Sequence, residues 1–150
     1  MAAEDRYACL RLENQLCFPL YACAKEVVRR YRPMLDELGI TYTQYIAMMA
    51  LWEHHSMSVK DLGALLCLDS GTLTPLLKKL EEKGFVERSR DIKDERVLIV
   101  TVTDSGMELR EKALSVPGAI ASCIPLSLED ATTLARILRT MMADFRKDLD

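Results

Sequence analysis

From Gln15 onward the apolar residues Leu16, Leu20, Ala24, Val27, Val28 and Tyr31 recur at helical steps, which predicts an amphipathic helix ending before Pro33. Pro19 lies close to its start, so the regular helix either begins around Cys17 or is kinked there. The segment PMLDEL reads as a short helix of its own, with Pro33 at its first position and Gly39 just past its end. Thr43 to His54 is apolar on most sides (Tyr45, Ile46, Met48, Met49, Leu51, Trp52), as expected of a helix central to a core. Ser58 with Asp61 resembles a capping box opening VKDLGALLCL. After a tight turn at Asp69 and Ser70, another helix is predicted from about Thr72 to Lys83, stopped by Gly84.

Beyond Gly84 the period shortens to two: residues 85–87 and VLIVTVT read as strands joined by the charged stretch RSRDIKDER. Thr103 or Asp104 then caps a helix from about Ser105 to Leu114, and VPGA breaks the chain. Ser127 with Asp130 opens a terminal helix whose narrow apolar stripe (Ala131, Leu134, Leu138, Met141, Phe145) suits packing on a partner helix.

Two short helices meeting at a tight turn, the second followed directly by a β-hairpin with a charged tip, make a winged helix-turn-helix. The second helix fits the major groove, about 12 Å wide, and the hairpin tip can reach the adjacent minor groove or the backbone. Ser70, Thr72 and Thr74 lead that helix, and Lys78 and Lys79 follow; hydroxyls and lysines suit phosphates, and only some would read bases. The same residues also fit a plainer description, with the hydroxyls as caps and the lysines as a solvated face. Between residues 58 and 101, eight Lys and Arg balance eight Asp and Glu, so the DNA signal is topological rather than compositional. Arg88, Arg90, Lys93 and Arg96 nevertheless gather around the hairpin, and local clustering matters because salt confines fields to about 10 Å.

The 150 residues fit one domain, 49% hydrophobic with a formal charge of −3. The N-terminus carries charges where a signal peptide needs an apolar stretch, and no uncharged run approaches the ~20 residues that span a bilayer, which points to the cytoplasm and away from membranes. Five cysteines (Cys9, Cys17, Cys23, Cys67, Cys123) form no CxxC pair, and His54 and His55 point different ways on a helix, so neither a metal site nor a cofactor is expected.

Cys17 is the candidate for chemistry. It shares a helix face with Tyr21, four residues on, and lies nearly four whole turns from Tyr31, so any contact with Tyr31 or Tyr42 would come from another segment or a second subunit. Phenol donors or a helix N-terminus favour the thiolate form on which thiol reactivity depends. The plainer alternative is a buried core cysteine among Leu16, Phe18 and Leu20. Cys9, Cys23 and Cys67 have no such company and read as packing or incidental, whereas Cys123 sits in the break AIASCIPLS, where a flexible thiol could reach another.

The segments LENQLCFPLYA, YRPMLDELGITYTQYIAMMALWE and DSGTLTPLLKKLEEKGFVERSRDIKDER together resemble OhrR, the organic hydroperoxide resistance repressors of the MarR family, over about residues 10 to 118. The resemblance implies a mainly α, winged helix-turn-helix homodimer. Its DNA-binding lobe would cover about residues 43–101, and its dimerisation helices about 10–38 and 104–149, in a single domain spanning 1–150. By resemblance Cys17 is the peroxide-sensing thiol and Tyr31 and Tyr42 are the phenols that hydrogen-bond it. One branch of the family resolves the oxidised thiol with a small cellular thiol and the other with a cysteine of the partner subunit before the last helix, a place that Cys123 occupies and that favours the second branch. The family's DNA contacts fall on Ser70, Thr72, Pro75, Lys78 and Lys79 of the recognition helix and on Asp94 and Arg96 of the wing, with Arg90 and Lys93 beside them.

The function implied is a repressor, not an enzyme, that holds double-stranded operator DNA when reduced and releases it when an organic hydroperoxide oxidises Cys17. Phe18, Leu20, Met48 and Trp52 would wall an apolar pocket favouring lipid or alkyl hydroperoxides. Two alternatives share these residues: a MarR-type repressor answering to a bound apolar or phenolic ligand, and a thiol-dependent peroxidase.

Overall fold

The computed structural model describes residues 6–147. After two short 3-10 turns at Ala8–Leu10 and Leu12–Asn14 come helices α1 (Cys17–Leu38) and α2 (Tyr42–His54), strand β1 (Ser56–Ser58), and helices α3 (Val59–Leu66) and α4 (Ser70–Glu82). Strands β2 (Val86–Arg90) and β3 (Leu98–Val102) follow, then α5 (Asp104–Lys112), a 3-10 turn at Ala113–Ser115, α6 (Val116–Cys123) and α7 (Leu128–Lys147). The strands form one antiparallel sheet in the order β1-β3-β2, with Met57 opposite Val100 and Ser89 opposite Ile99.

Side chains fix most of the element boundaries. Thr41 and Gln44 form a complete capping box at α2: Gln44 N–H donates to Thr41 Oγ1 at 3.3 Å, and Thr41 N–H to Gln44 Oε1 at 3.0 Å. Ser58, Asp69, Thr103 and Ser127 each accept from the backbone three residues on, at 2.8–3.1 Å. Gly39 ends α1 in the left-handed region (φ +69°), where a residue without Cβ carries no penalty.

The core is built around α2, as its all-round apolar pattern predicts. Met48 and Leu51 are fully buried together with Leu35 of α1, Leu62 of α3, Leu73, Leu77 and Leu80 of α4, and Val86 and Val100 of the sheet. Each such side chain contributes roughly 1.5–3 kcal/mol relative to exposure. Four buried leucines on α4 (Leu73, Leu76, Leu77 and Leu80) fix the face it turns inward, so its opposite face is left for solvent or for a ligand.

Four features depart from the sequence reading. α1 does not stop before Pro33 but runs unbroken to Leu38, so the two predicted helices are one. Proline there forfeits a hydrogen bond and costs about 3 kcal/mol in a helix interior. The burial of Leu35 and the packing of Tyr31, Met34 and Leu38 on the core outweigh it. Pro19, third in the helix, removes an N–H that has no intrahelical partner in any case, so α1 begins at Cys17 without a break.

VPGA likewise does not break the chain: it opens α6, with its proline in the first turn, where proline is tolerated. α4 begins at Ser70 rather than Thr72 because Asp69 is its cap. Finally, β1 carries no sequence signal. His55, at φ +60°, turns the chain out of α2, and its carbonyl accepts from Val102 N–H at 2.9 Å, which leads residues 56–58 alongside β3.

Candidate functional site

α4 presents Ser70, Thr72, Pro75, Lys78 and Lys79 on its exposed side, opposite the buried Leu73, Leu76, Leu77 and Leu80. Every residue expected to read DNA from this helix therefore faces outward. Thr72 is partly engaged as a cap, with its N–H on Asp69 Oδ1 at 2.8 Å and its hydroxyl near Asp69 Oδ2 at 3.3 Å. Capping and an outward-facing position thus coexist at the start of α4.

The wing is a built tip rather than a loose charged loop. Asp91 Oδ1 accepts from Lys93 N–H at 2.6 Å and from Asp94 N–H at 3.3 Å, and backbone bonds between Asp91 and Val97 and between Val97 and Asp94 close the turn. Asp94 Oδ1 takes both the backbone N–H of Arg96 at 3.0 Å and its Nε at 3.3 Å. The guanidinium is thus oriented while its side chain stays 94% exposed. Arg90 and Lys93 are exposed beside it. Asp91 was open to recognition from sequence, since an aspartate that bonds the backbone two residues on is a common turn device.

Arg88 belongs elsewhere. Its Nε and Nη2 donate to Glu81 Oε2 at 3.0 and 2.6 Å, and its backbone N–H donates to Glu81 Oε1 at 3.0 Å, so Glu81 ties the wing to the last turn of α4. Hydrogen bonds from Arg88 hold the Glu81 carboxyl below its ordinary range. Lys83, at the end of the same helix, donates to the Gly39 carbonyl at the end of α1. Arg88, grouped from sequence with the charges around the hairpin, and Lys83 therefore both serve to tie α4 to its neighbours. Neither pairing leaves a mark in the sequence, because both join residues from different elements.

Cys17 is the first residue of α1, and its side chain is exposed, as are those of the other four cysteines; all five are free. It is therefore not a buried core cysteine within one chain. Tyr31 and Tyr42 do come together, with ring centroids 4.9 Å apart, where α1 passes the start of α2. Tyr45, missed as a partner although it lies one turn beyond Tyr42, joins them 5.9 Å from Tyr31. Burial, and then the neighbouring phenols, push Tyr31 and Tyr45 above the usual tyrosine range, so both keep their protons at neutral pH.

Cys17 and this cluster are not brought together within one chain: fourteen residues at 1.5 Å per residue put Tyr31 about 21 Å along the helix from the thiol. The expected pocket of Phe18, Leu20, Met48 and Trp52 does not form within one chain either. Met48 and Trp52 are buried in the core, whereas Phe18 and Leu20 stand exposed at the free end of α1. An open groove of about 790 Å³ instead runs between α1 and α2 past Tyr42, with Val28, Leu35 and Ile40 along it and Arg29 and Arg32 beside them.

Cys123 ends α6, where its carbonyl accepts from Arg30 Nη1 at 3.1 Å. Arg30 is itself oriented by Glu26, with Nε 3.2 Å from Oε1.

An outward-facing recognition helix braced to an ordered, arginine-tipped hairpin defines a winged helix-turn-helix DNA-binding regulator. The family description of SarA/Rot transcriptional regulators matches residues 29–113. The organic hydroperoxide resistance transcriptional regulator of Bacillus subtilis is 45% identical over 139 residues, covering 93% of this chain and 95% of the relative. Among solved structures, reduced AbfR bound to DNA superposes with a TM-score of 0.74 at 37% identity, covering 93% of this chain and 97% of that one; AbfR is a protein of Staphylococcus epidermidis. Disulfide-formed AbfR superposes at 0.63, also at 37% identity, covering 93% of this chain and 98% of that one. The chain belongs to the organic hydroperoxide resistance (OhrR) type of MarR-family winged-helix transcription regulators.

Proposed function

We propose that this chain is a redox-sensing repressor that binds operator DNA as a reduced homodimer and releases it when an organic hydroperoxide oxidises Cys17. The observation that carries the reading is the incompleteness of the thiol site in one chain. Cys17 is exposed at the start of α1, while the phenol cluster of Tyr31 and Tyr42 lies about 21 Å further along the same helix. A second copy would complete the site. The exposed apolar residues Leu16, Phe18 and Tyr21 beside Cys17, with Leu134, Ile137 and Phe145 on α7, supply a face to receive it. One relative, AbfR, seen both reduced on DNA and in a disulfide-formed state, supports the same reading.

In the proposed step the Cys17 thiolate attacks the outer peroxide oxygen. The O–O bond breaks, the alcohol leaves after taking up a proton, and a sulfenic acid remains on Cys17. The thiolate of Cys123 in the other subunit then attacks that sulfur, the S–O bond breaks, and the expelled hydroxide takes up a proton to leave as water, so that the disulfide remains. Within one chain this closure is obstructed. The Cys123 carbonyl is held at Arg30, about 20 Å along α1 from Cys17, whereas a disulfide needs Cα atoms within about 7 Å.

On the DNA side, Ser70, Thr72, Pro75, Lys78 and Lys79 would meet the major groove. Arg96, braced by Asp94 and flanked by Arg90 and Lys93, would enter the minor groove.

The test is operator binding by wild type, Cys17→Ser and Cys123→Ser, each with and without cumene hydroperoxide, alongside a nonreducing gel. Wild type should release DNA and run as a covalent dimer. Cys123→Ser should give no covalent dimer, and Cys17→Ser should stay bound. Release of Cys17→Ser by the hydroperoxide would refute the sensing role, and a covalent dimer from Cys123→Ser would refute the resolving one. Peroxide consumption far beyond one equivalent per subunit would favour a peroxidase instead.

A further inference from the structure

We infer that Arg146, near the end of α7, latches the terminal helix to the turn of the helix-turn-helix and thereby sets the pose of the recognition helix. The inference rests on reading α4 as the DNA-reading helix, and it assigns a positioning role to a residue far away in sequence.

Arg146 Nη2 donates to the Leu65 carbonyl at 3.0 Å and lies 3.6 Å from Cys67 Sγ. Leu65 is in the last turn of α3, where backbone carbonyls have no partner within the helix. The two that precede it are satisfied locally: Cys67 N–H bonds to the Ala64 carbonyl at 3.4 Å, and Leu68 N–H to the Gly63 carbonyl at 3.0 Å. The guanidinium supplies the Leu65 carbonyl with a charged donor, and it places a cation at the negative end of α3.

The turn so held is under constraint. Cys67 occupies the left-handed region at φ +55°, a conformation that favours glycine or asparagine. It is also closely packed, because a Cβ on Gly63 would come within 2.9 Å of the Leu68 carbonyl oxygen. Asp69 caps α4 immediately afterwards. Any displacement of this turn therefore moves the start of α4, where Ser70 and Thr72 face outward. The other end of α4 is held separately, by Lys83 on the Gly39 carbonyl and by Glu81 on Arg88. Loss of Arg146 thus frees one end of the recognition helix while the other stays anchored.

The experiment uses the full-length reduced protein as wild type, Arg146→Ala and Arg146→Lys. Binding to a duplex selected by the wild type from a random library is measured over a range of salt concentrations, and hydrogen exchange is followed at residues 66–70. In Arg146→Ala these amides should exchange faster and the selected duplex should bind about tenfold more weakly, comparable to one lost base contact. The slope of log affinity against log salt should not change, because no phosphate contact is lost. Arg146→Lys should recover most of both effects, since an ammonium can still reach the Leu65 carbonyl.

Unchanged exchange in Arg146→Ala would overturn the latch. So would a weaker affinity accompanied by a slope smaller by about 0.9 per phosphate, which would make Arg146 a direct DNA contact. A wild type that selects no duplex would overturn the recognition-helix reading, and this inference with it.

Discussion

Replacing Gly106 by alanine should damage the joint between the recognition helix and the wing. Gly106 lies in the first turn of α5, its N–H on the capping hydroxyl of Thr103 at 3.1 Å. Thr103 in turn donates to the Gly84 carbonyl at 2.6 Å and, through its N–H, to the Phe85 carbonyl at 3.1 Å. The start of α5 is thus pressed onto Gly84 and Phe85, two of the three residues that lead from α4 into β2.

A methyl group at Gly106 would overlap the Phe85 carbonyl oxygen and lie 2.7 Å from Val102 Cγ2 and 3.1 Å from the Phe85 carbonyl carbon. Two of these three atoms are backbone and cannot rotate away. Overpacking of this kind costs about 1–3 kcal/mol. The same shift strains the buried hydrogen bond from Trp52 Nε1 to the Gly106 carbonyl, 2.8 Å long, whose loss would add about 1–3 kcal/mol. Better helix propensity returns up to about 1 kcal/mol.

The net is near 3 kcal/mol, or a melting temperature lower by about 6–12 °C for a chain of this length. Thermal melts followed by circular dichroism measure it. Trp52, the single tryptophan, reports its own environment by fluorescence. An unchanged melting temperature together with an unchanged emission spectrum would show that the joint yields freely and that this reasoning is wrong.

Arg96→Ala should weaken operator binding by about 1–3 kcal/mol, as measured by fluorescence anisotropy, and Asp94→Ala by less, because the guanidinium remains but loses its brace; tighter binding by Asp94→Ala would refute the bracing role. Because Arg88 holds the Glu81 carboxyl below its usual value near 4.5, the tie between α4 and the wing should be fully present above that pH and be lost only as pH falls further, through the lowered value. A pH titration followed by NMR at the Arg88 Nε–H checks this, and Glu81→Gln should abolish the dependence. Tyr31 and Tyr45 should ionise above pH 10 in an absorbance titration at the phenolate band, and ionisation of either below it would contradict the packing of the phenol cluster.

Where a residue acts on its own backbone, the sequence was enough to locate it. Ser58, Thr103, Ser127, Gly39 and Gly84 mark boundaries because a cap or a left-handed turn is decided within a few residues. The outward residues of α4 were legible as hydroxyls and lysines in a helix after a tight turn, and the fold holds them outward by burying Leu73, Leu76, Leu77 and Leu80. Pro33 misled because its local cost is real, but the burial of Leu35 two residues on exceeds it. VPGA misled similarly, its proline being at home in a first turn.

What could not be read were partnerships between distant segments. Arg88 with Glu81, Lys83 with Gly39, and Arg30 with Cys123 look in sequence like ordinary surface charges. The proposed thiol site was half legible: the two tyrosines that the fold clusters were singled out together with Cys17, but the exposure of Cys17 at the start of α1 emerges only from the fold.

The separation of Cys17 from Tyr31 along α1 carries a genetic consequence. If each working site takes its thiol from one copy and its phenols from the other, a dimer contains two sites that fail independently. A subunit lacking Cys17 paired with a subunit lacking the Tyr31 hydroxyl would place both defects in the same site and leave the second intact. Two inactive alleles could then restore peroxide sensing when expressed together, and the extent of rescue would count how many intact sites one operator-bound dimer needs to let go.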